Sequence, residues 1–397
     1  MFKKSIILII LFIILLGLIL VYIDKSELGY VGKDNLNNEL TDEELKEKIG
    51  QMIMTGFRGT EILEGSDAYN MIKDVKVGGV VLFDYDVFSN SFPRNIVDYD
   101  QTKKLISDIQ SYSSIPLFVA VDAEGGKVNR LKEEYGFTAV LSAEEMGRDK
   151  TLKTTDKESL KLALELKELG FNMNLAPVVD LNINPSNPII GALGRSFSQD
   201  KEETAKQAEV FIENHLKNGI VCVAKHFPGQ GSAEEDTHLG LADITESYKE
   251  EEFFPYYYLN EKGLLKAVMA AHTINRNIDN DYPAALSSVF LEDILRNQIG
   301  FGGVIISDDM QMSAITNNYN LDEAVIKAVN AGIDIILISN NTSYGYDKDI
   351  AHKVRDIIFN AVRDNRIKED RVIESYNRIL DLKREFRIIL FKTSYFC

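Results

Sequence analysis

Cysteine is nearly missing from this 397-residue sequence, which has only Cys222 and Cys397. Cys222 lies in an apolar run and Cys397 is the last residue, so no disulfide framework is expected and no cysteine-based metal spacing exists. Cys222 reads as a buried small hydrophobe. Positive charge is scarce as well: 44 lysines and arginines stand against 61 aspartates and glutamates, a net charge of −17. Phosphate binding needs clustered positive potential, so no nucleic-acid partner is expected. The sequence also shows no internal repeat and no second apolar core. With 45% hydrophobic and 26% charged residues, its composition excludes bulk disorder and a fibrous fold.

One long hydrophobic run is present. Residues 5–23 are almost wholly Ile, Leu, Phe and Val and follow Lys3 and Lys4. About 20 such residues cross a bilayer, and the two lysines would stay on the cytoplasmic side. No good cleavage site and no lipoprotein cysteine follow the run, so residues 1–24 are expected to be a membrane anchor or uncleaved signal. The rest of the chain would then lie outside a single span at the cell membrane; secretion after cleavage is the alternative. Residues 25–43 read as a polar tether, 44–390 as one barrel domain and 391–397 as a tail.

Within 44–390, short apolar runs alternate with amphipathic segments. The runs are 50–55, 78–83, 116–121, 172–179, 220–225, 267–271, 303–307 and 333–339. Between them, helical spacing recurs, as where Ala205, Ala208, Phe211, Ile212, His215 and Leu216 fall at steps of three and four. Eight such units predict an α/β fold, a (β/α)8 TIM-type barrel with extra C-terminal helices over 349–365 and 368–386; an open doubly wound sheet is the alternative. The carboxyl ends of the runs carry Asp84, Asp122 with Glu124, Asp180, His226, His272, and Asp308 with Asp309. In a parallel barrel these groups would gather on one rim around one pocket.

Several of these residues have chemistry worth weighing. Asp308, at the mouth of the seventh run, is placed either to attack an electrophilic sugar carbon or to cap the next turn. Asp236 and His238 are one residue apart, and an Asp–His contact at that spacing needs a loop, which Gly231 and Gly240 allow. The carboxylate would fix the tautomer of the imidazole and raise its basicity; the competing reading is a solvated acidic loop. Lys225 and His226 end the fifth run as hydrogen-bond donors. Asp122 could accept two hydroxyl protons, and Arg130 and Arg195 offer planar donor forks.

Taken together, KHFPGQG (Lys225 to Gly231), the Asp236-Thr237-His238 triplet, DAEGGKVNR (Asp122 to Arg130), GRSF (Gly194 to Phe197) and ISDDM (Ile306 to Met310) resemble the bacterial β-N-acetylhexosaminidases of glycoside hydrolase family 3. The resemblance runs from about Leu45 to the last helices, with the motifs in the family's order. It implies an enzyme that removes terminal β-linked N-acetylglucosamine with retention. On that resemblance Asp308 is the nucleophile, His238 the acid and base, and Asp236 its supporting carboxylate. Asp122, Arg130, Arg195, Lys225 and His226 become ligands of the innermost sugar. The family further suggests a cis peptide within Lys225–Pro228, for which Phe227–Pro228 is the candidate. Gln230 departs from the family's commoner histidine.

The implied substrate is a β-N-acetylglucosaminide from cell-wall glycans or muropeptides, handled by a monomer without cofactor or metal. Three other readings share the residues. One is a phosphorylase on the same scaffold, and another a wall-binding protein without turnover. The third is a metal-dependent hydrolase gathering His226, His238, His272 and Asp308, against which stands the lack of a His-x-His pair at the first run.

Overall fold

The structure, a computed structural model, describes residues 40–237 and 239–389. The expected anchor (1–24), the tether as far as residue 39, the tail (391–397) and His238 lie outside the described residues. Among the described residues no helix is long and apolar enough to cross a membrane.

All eight apolar runs form strands: β1 (Ile53–Thr55), β2 (Gly79–Leu82), β3 (Phe118–Val121), β4 (Met173–Asn174), β5 (Val221–Phe227), β6 (Ala267–Ala270), β7 (Val304–Ser307) and β8 (Ile336–Ile338). Every one of them is buried along its whole length. That is the signature of parallel strands covered on both faces, and each neighbouring pair is parallel and in sequence order. β8 pairs back onto β1, with Ile53 opposite Ile336. β7 meets β8 in a single bridge, Ile306 with Ile335, where Ile335 N donates to Ile305 O at 3.0 Å and Ser307 N to Ile335 O at 3.0 Å. The ring is therefore an eight-stranded parallel barrel, and the open-sheet alternative is set aside.

The fourth run pairs regularly over only two residues. Beyond Asn174 the chain stays beside β5 through irregular bonds, from Val223 N to Ala176 O and from Lys225 N to Pro177 O. Pro177 has no N–H to return, so the ladder is interrupted there and resumes as a single parallel bridge between Val178 and Lys225.

Helices follow the strands on the outside. Tyr99–Tyr112, Lys201–Lys217 and Leu321–Ala331 start at Asp98, Asp200 and Asn320, whose side chains accept from a backbone N–H three residues on. The face predicted for the fourth barrel helix is the one that packs: Ala205, Ala208, Phe211, Ile212 and His215 are buried in Lys201–Lys217, while Leu216 is half-exposed. His215 is a satisfied core histidine. Its Nδ1 lies 2.8 Å from Phe211 O and its Nε2 3.2 Å from Asn174 Nδ2, and burial pulls its pKa down to about 4. Cys222 is likewise buried, and burial pushes its thiol up.

The C-terminal helices appear as Ile350–Arg363 and Glu369–Glu385. The second is tied to the barrel through Asp334, a fully buried carboxylate just before β8. Its Oδ1 accepts from Arg371 Nη2 (3.1 Å), Ser375 Oγ (2.9 Å) and Arg378 Nη1 (3.1 Å), and its Oδ2 from Arg296 Nη2 (2.7 Å) and Ile305 N (3.0 Å). Asp334→Ala strands these cations around an empty site, so it should cost roughly 3–5 kcal/mol of stability. Chemical denaturation measures this, and a loss below about 1 kcal/mol would show that the cluster does not anchor the helix.

Candidate active site

A cavity of about 320 Å³ opens at the carboxyl ends of the strands. Its floor is made by Val81, Leu175, Met269 and Leu337, carried by β2, the extension of β4, β6 and β8. Four side chains from alternate strands form one layer of a barrel interior, so the floor is packed core rather than a pore. Above it, the cavity brings together Asp122, Arg130, Arg195, Lys225, His226 and Asp308. All six of these sequence-predicted residues thus share one space. Asp236 does not line the cavity, but its neighbour Thr237 does and is buried there.

Lys225 is the centre of this group. Its Nζ lies 2.9 Å from Asp122 Oδ1 and 2.7 Å from Glu124 Oε1, although its side chain is only 3% exposed. Asp122 stands just before, and Glu124 within, a small hairpin after β3, Ala123–Gly125 with Val128–Asn129, closed by Gly126–Lys127, where Gly125 and Gly126 take φ 93° and 59°. Glycine takes those angles without the steric cost a side chain would add. Burial alone would push the Asp122 carboxyl up, but Lys225 and Arg130 hold it below the ordinary value. For Glu124 burial is likewise outweighed by Arg195 and Lys225, which bring it down to about 2. Burial would lower Lys225; Asp122 and Glu124 raise it instead, so the lysine stays charged.

The two arginines differ. Arg195 Nε and Nη2 each donate to Glu124 at 2.8 Å, and Nη1 donates to Ile189 O at 2.7 Å, so its fork is already engaged within the protein. Arg130 is one-third exposed, 3.6 Å from Asp122 Oδ2, with its guanidinium over the ring of Phe83 at 5.6 Å. It is the more accessible donor.

His226 is oriented by Asp180, whose Oδ2 lies 2.6 Å from Nδ1. That contact puts the Nδ1 proton toward the carboxylate and leaves Nε2, on the cavity side, 3.4 Å from Arg195 Nη2. The peptide bonds Lys225–His226 and Phe227–Pro228 are both cis, so the expected bond is found and a second, non-proline one accompanies it. On the other wall, Asp308 follows β7, and Asp309 N donates to its Oδ1 at 2.8 Å. The Asp309 carboxylate accepts from Ser339 N and Gln311 N, and burial raises its pKa. His272 Nε2 lies 3.0 Å from Asp309 O. Two histidines of the metal reading, His226 and His272, are therefore committed to Asp180 and to a backbone carbonyl.

Sequence reasoning gave no role to Glu124 or Asp180, although both stood on the predicted rim. The available signal was charge balance: a lysine inside an apolar strand requires buried carboxylates nearby.

Behind the loop that follows β5 lies another buried acid, Glu252. A Cβ on Gly229 would come within 2.7 Å of its side chain, so this carboxyl is pressed against the loop backbone. Burial pushes its pKa from 4.5 up to about 7. The folded protein then holds a proton that the unfolded chain has already released, so stability falls as pH rises from 4.5 to 7, by about 3 kcal/mol at most. Glu252→Gln should flatten that part of the stability–pH curve relative to the unsubstituted protein. Urea titrations at several pH values measure it, and an unchanged slope would place the titration elsewhere.

The glycosyl hydrolase family 3 N terminal domain matches residues 44–382. A beta-hexosaminidase of Psychromonas ingrahamii is 37% identical over 276 residues, covering 67% of this chain and 77% of that one. One of Nitrosomonas eutropha is 33% identical over 325 residues, covering 79% and 87%. Among solved structures, a glycoside hydrolase family 3 beta-N-acetylglucosaminidase from Paenibacillus sp. superposes with a TM-score of 0.78 at 32% identity, over 90% of this chain but 65% of that one. A beta-N-acetylhexosaminidase from Beutenbergia cavernae gives a TM-score of 0.76 at 27% identity, over 88% and 100%. With a barrel of that kind and a rim pocket rich in ion-paired carboxylates, this chain is a glycoside hydrolase and belongs to glycosyl hydrolase family 3, alongside its bacterial β-hexosaminidases.

Proposed function

We propose that this enzyme is a retaining exo-β-N-acetylglucosaminidase that releases terminal β-linked N-acetylglucosamine from cell-wall-derived glycans or muropeptides. The observation that carries the reading is the pocket at the strand ends, lined by ion-paired carboxylates and cations: its 320 Å³ is near the small end of ligand sites, about 300–1,000 Å³, and suits one terminal sugar. The names of the relatives support the N-acetylhexosamine as that sugar.

In the proposed reaction, Asp122, Arg130, Lys225 and His226 bind the sugar hydroxyls, and Arg195 holds Glu124 and thereby Lys225. An oxygen of Asp308 attacks the anomeric carbon. The bond to the leaving oxygen breaks as His238, supported by Asp236, gives that oxygen a proton. Water then attacks the same carbon, His238 takes its proton, and Asp308 is released; two inversions leave the configuration unchanged. The hydrogen bond from Asp309 N to Asp308 Oδ1 supports this role by fixing the carboxylate's rotamer before substrate arrives.

We further propose that the enzyme is held at the cell membrane by residues 5–23, with the barrel outside. The support is the apolar run itself and the two lysines before it.

Asp308→Asn should lower turnover of an aryl β-N-acetylglucosaminide by more than about 10³-fold with the fold intact. His238→Ala should cost about 10²- to 10⁴-fold on an unactivated disaccharide and much less on an aryl substrate that leaves without a proton. Steady-state kinetics on both substrates decide this: near-normal activity of the first variant rejects the nucleophile, and equal losses in the second reject the acid.

A further inference from the structure

Gln230 is buried at the rim of the pocket, and its contacts link the carboxylate that orients His226 with Thr237 of the loop. Its backbone N donates to Asp180 Oδ1 at 2.9 Å, the carboxylate that also orients His226 through Nδ1 (2.6 Å) and the His226 N–H (3.1 Å). Its backbone O accepts from Asn187 Nδ2 at 2.8 Å and Ala233 N at 3.2 Å. Its side-chain Nε2 donates to Thr237 Oγ1 at 3.0 Å, a bond buried from solvent. Thr237 in turn accepts, at its carbonyl, from Ala314 N at 3.3 Å, on the segment that follows Asp308.

The stretch between Gln230 and Thr237 has little freedom to take this shape by other means. Gly231 packs so closely that a Cβ there would meet Leu181 O at 1.6 Å. Ala233 O is held by Asn184 Nδ2 at 2.9 Å and Asn187 Nδ2 at 3.0 Å. Farther on, Ala242–Asp243 pairs with Thr273–Ile274, and Ala233, Ala242 and Ile244 form a small apolar cluster. The loop is thus anchored at its base and at its far end. In its middle, the Thr237 side chain is tied back to the base through Gln230.

We infer that Gln230 is a positioning residue for the acid–base step: through Thr237 it holds the Asp236–His238 segment in register with the sugar-binding end of β5. Asp180 makes this a coupled device, since one carboxylate orients His226 for the sugar and fixes the residue that latches the acid–base segment. The inference rests on His238 as the acid, as proposed above. It adds that the register of that acid depends on an amide and a hydroxyl that take no part in proton transfer.

The bond can be removed from either side with nearly isosteric changes, Thr237→Val and Gln230→Leu. Each should lower kcat/KM about 10-fold on an unactivated β-linked disaccharide, the loss expected for one buried hydrogen bond. An aryl substrate with a good leaving group should lose less than about 2-fold, because its departure needs no proton. The double variant should be no worse than either single one, and Thr237→Ser should restore the disaccharide rate. Equal losses on both substrates, or losses that multiply in the double variant, would mean that the two residues act separately on the sugar or on folding, and would overturn the latch. His238→Ala in the same assays separates the two claims. If it discriminates between the substrates and Thr237→Val does not, the latch alone fails; if His238→Ala does not discriminate, the acid assignment fails and the latch with it.

Discussion

The upper face of this barrel is organised around one buried ammonium. Lys225 stands between Asp122 and Glu124, and removing an isolated charge of that kind from water costs several kcal/mol unless partners replace the lost hydration. The partners arrive from a different strand, on the hairpin after β3, so the ion pairs also fix how the ends of β3 and β5 face one another. Arg195 closes the group by binding Glu124 with two parallel hydrogen bonds, which balances two cations against two anions. The outcome is a pocket wall whose charges are set before a sugar enters. Fixed dipoles of this sort need no reorganisation when charge develops at the reacting carbon.

Stability and chemistry occupy opposite ends of the same strands. The Asp334 cluster lies ahead of β8 and fastens the last helix to the barrel. A second buried contact, Lys383 Nζ to Gln51 Oε1 at 2.7 Å, does the same beside β1, and burial draws that lysine's pKa down to about 7. Neither cluster lines the cavity. Between the two ends, the layer of Val81, Leu175, Met269 and Leu337 separates the packed interior from the site, so changes at the rim need not propagate into the core.

Much of this was legible in the sequence because parallel strands are apolar on both faces. The eight runs stood out for that reason, and the polar residues ending six of them marked the rim. The fourth run was the exception in detail: apolar over 172–179, it pairs regularly only at Met173–Asn174, since apolarity reports burial and not hydrogen bonding. Within the site, Asp122, Lys225, His226 and Asp308 were legible because each is a polar group at a strand end, and Arg130 as a planar cation eight residues beyond Asp122. Arg195 was legible as a cation but not as one already saturated by Glu124 and Ile189 O. Asp180 and Gln230 act at one remove from the pocket's sugar-facing groups, and nothing in their local sequence says which neighbours they hold. Such roles come from how the chain folds back on itself, here across the loop from Gln230 to Thr237 and between strands from Asp180 to His226.

The central claim is that Asp308 attacks the sugar from the pocket wall and is displaced in turn by water, with the configuration of the sugar preserved. Proton NMR of the product in the first minutes of reaction on an aryl β-N-acetylglucosaminide tests this most directly, before mutarotation mixes the anomers. The account predicts that β-N-acetylglucosamine appears first. Initial release of the α anomer would mean a single displacement by water and would contradict the account.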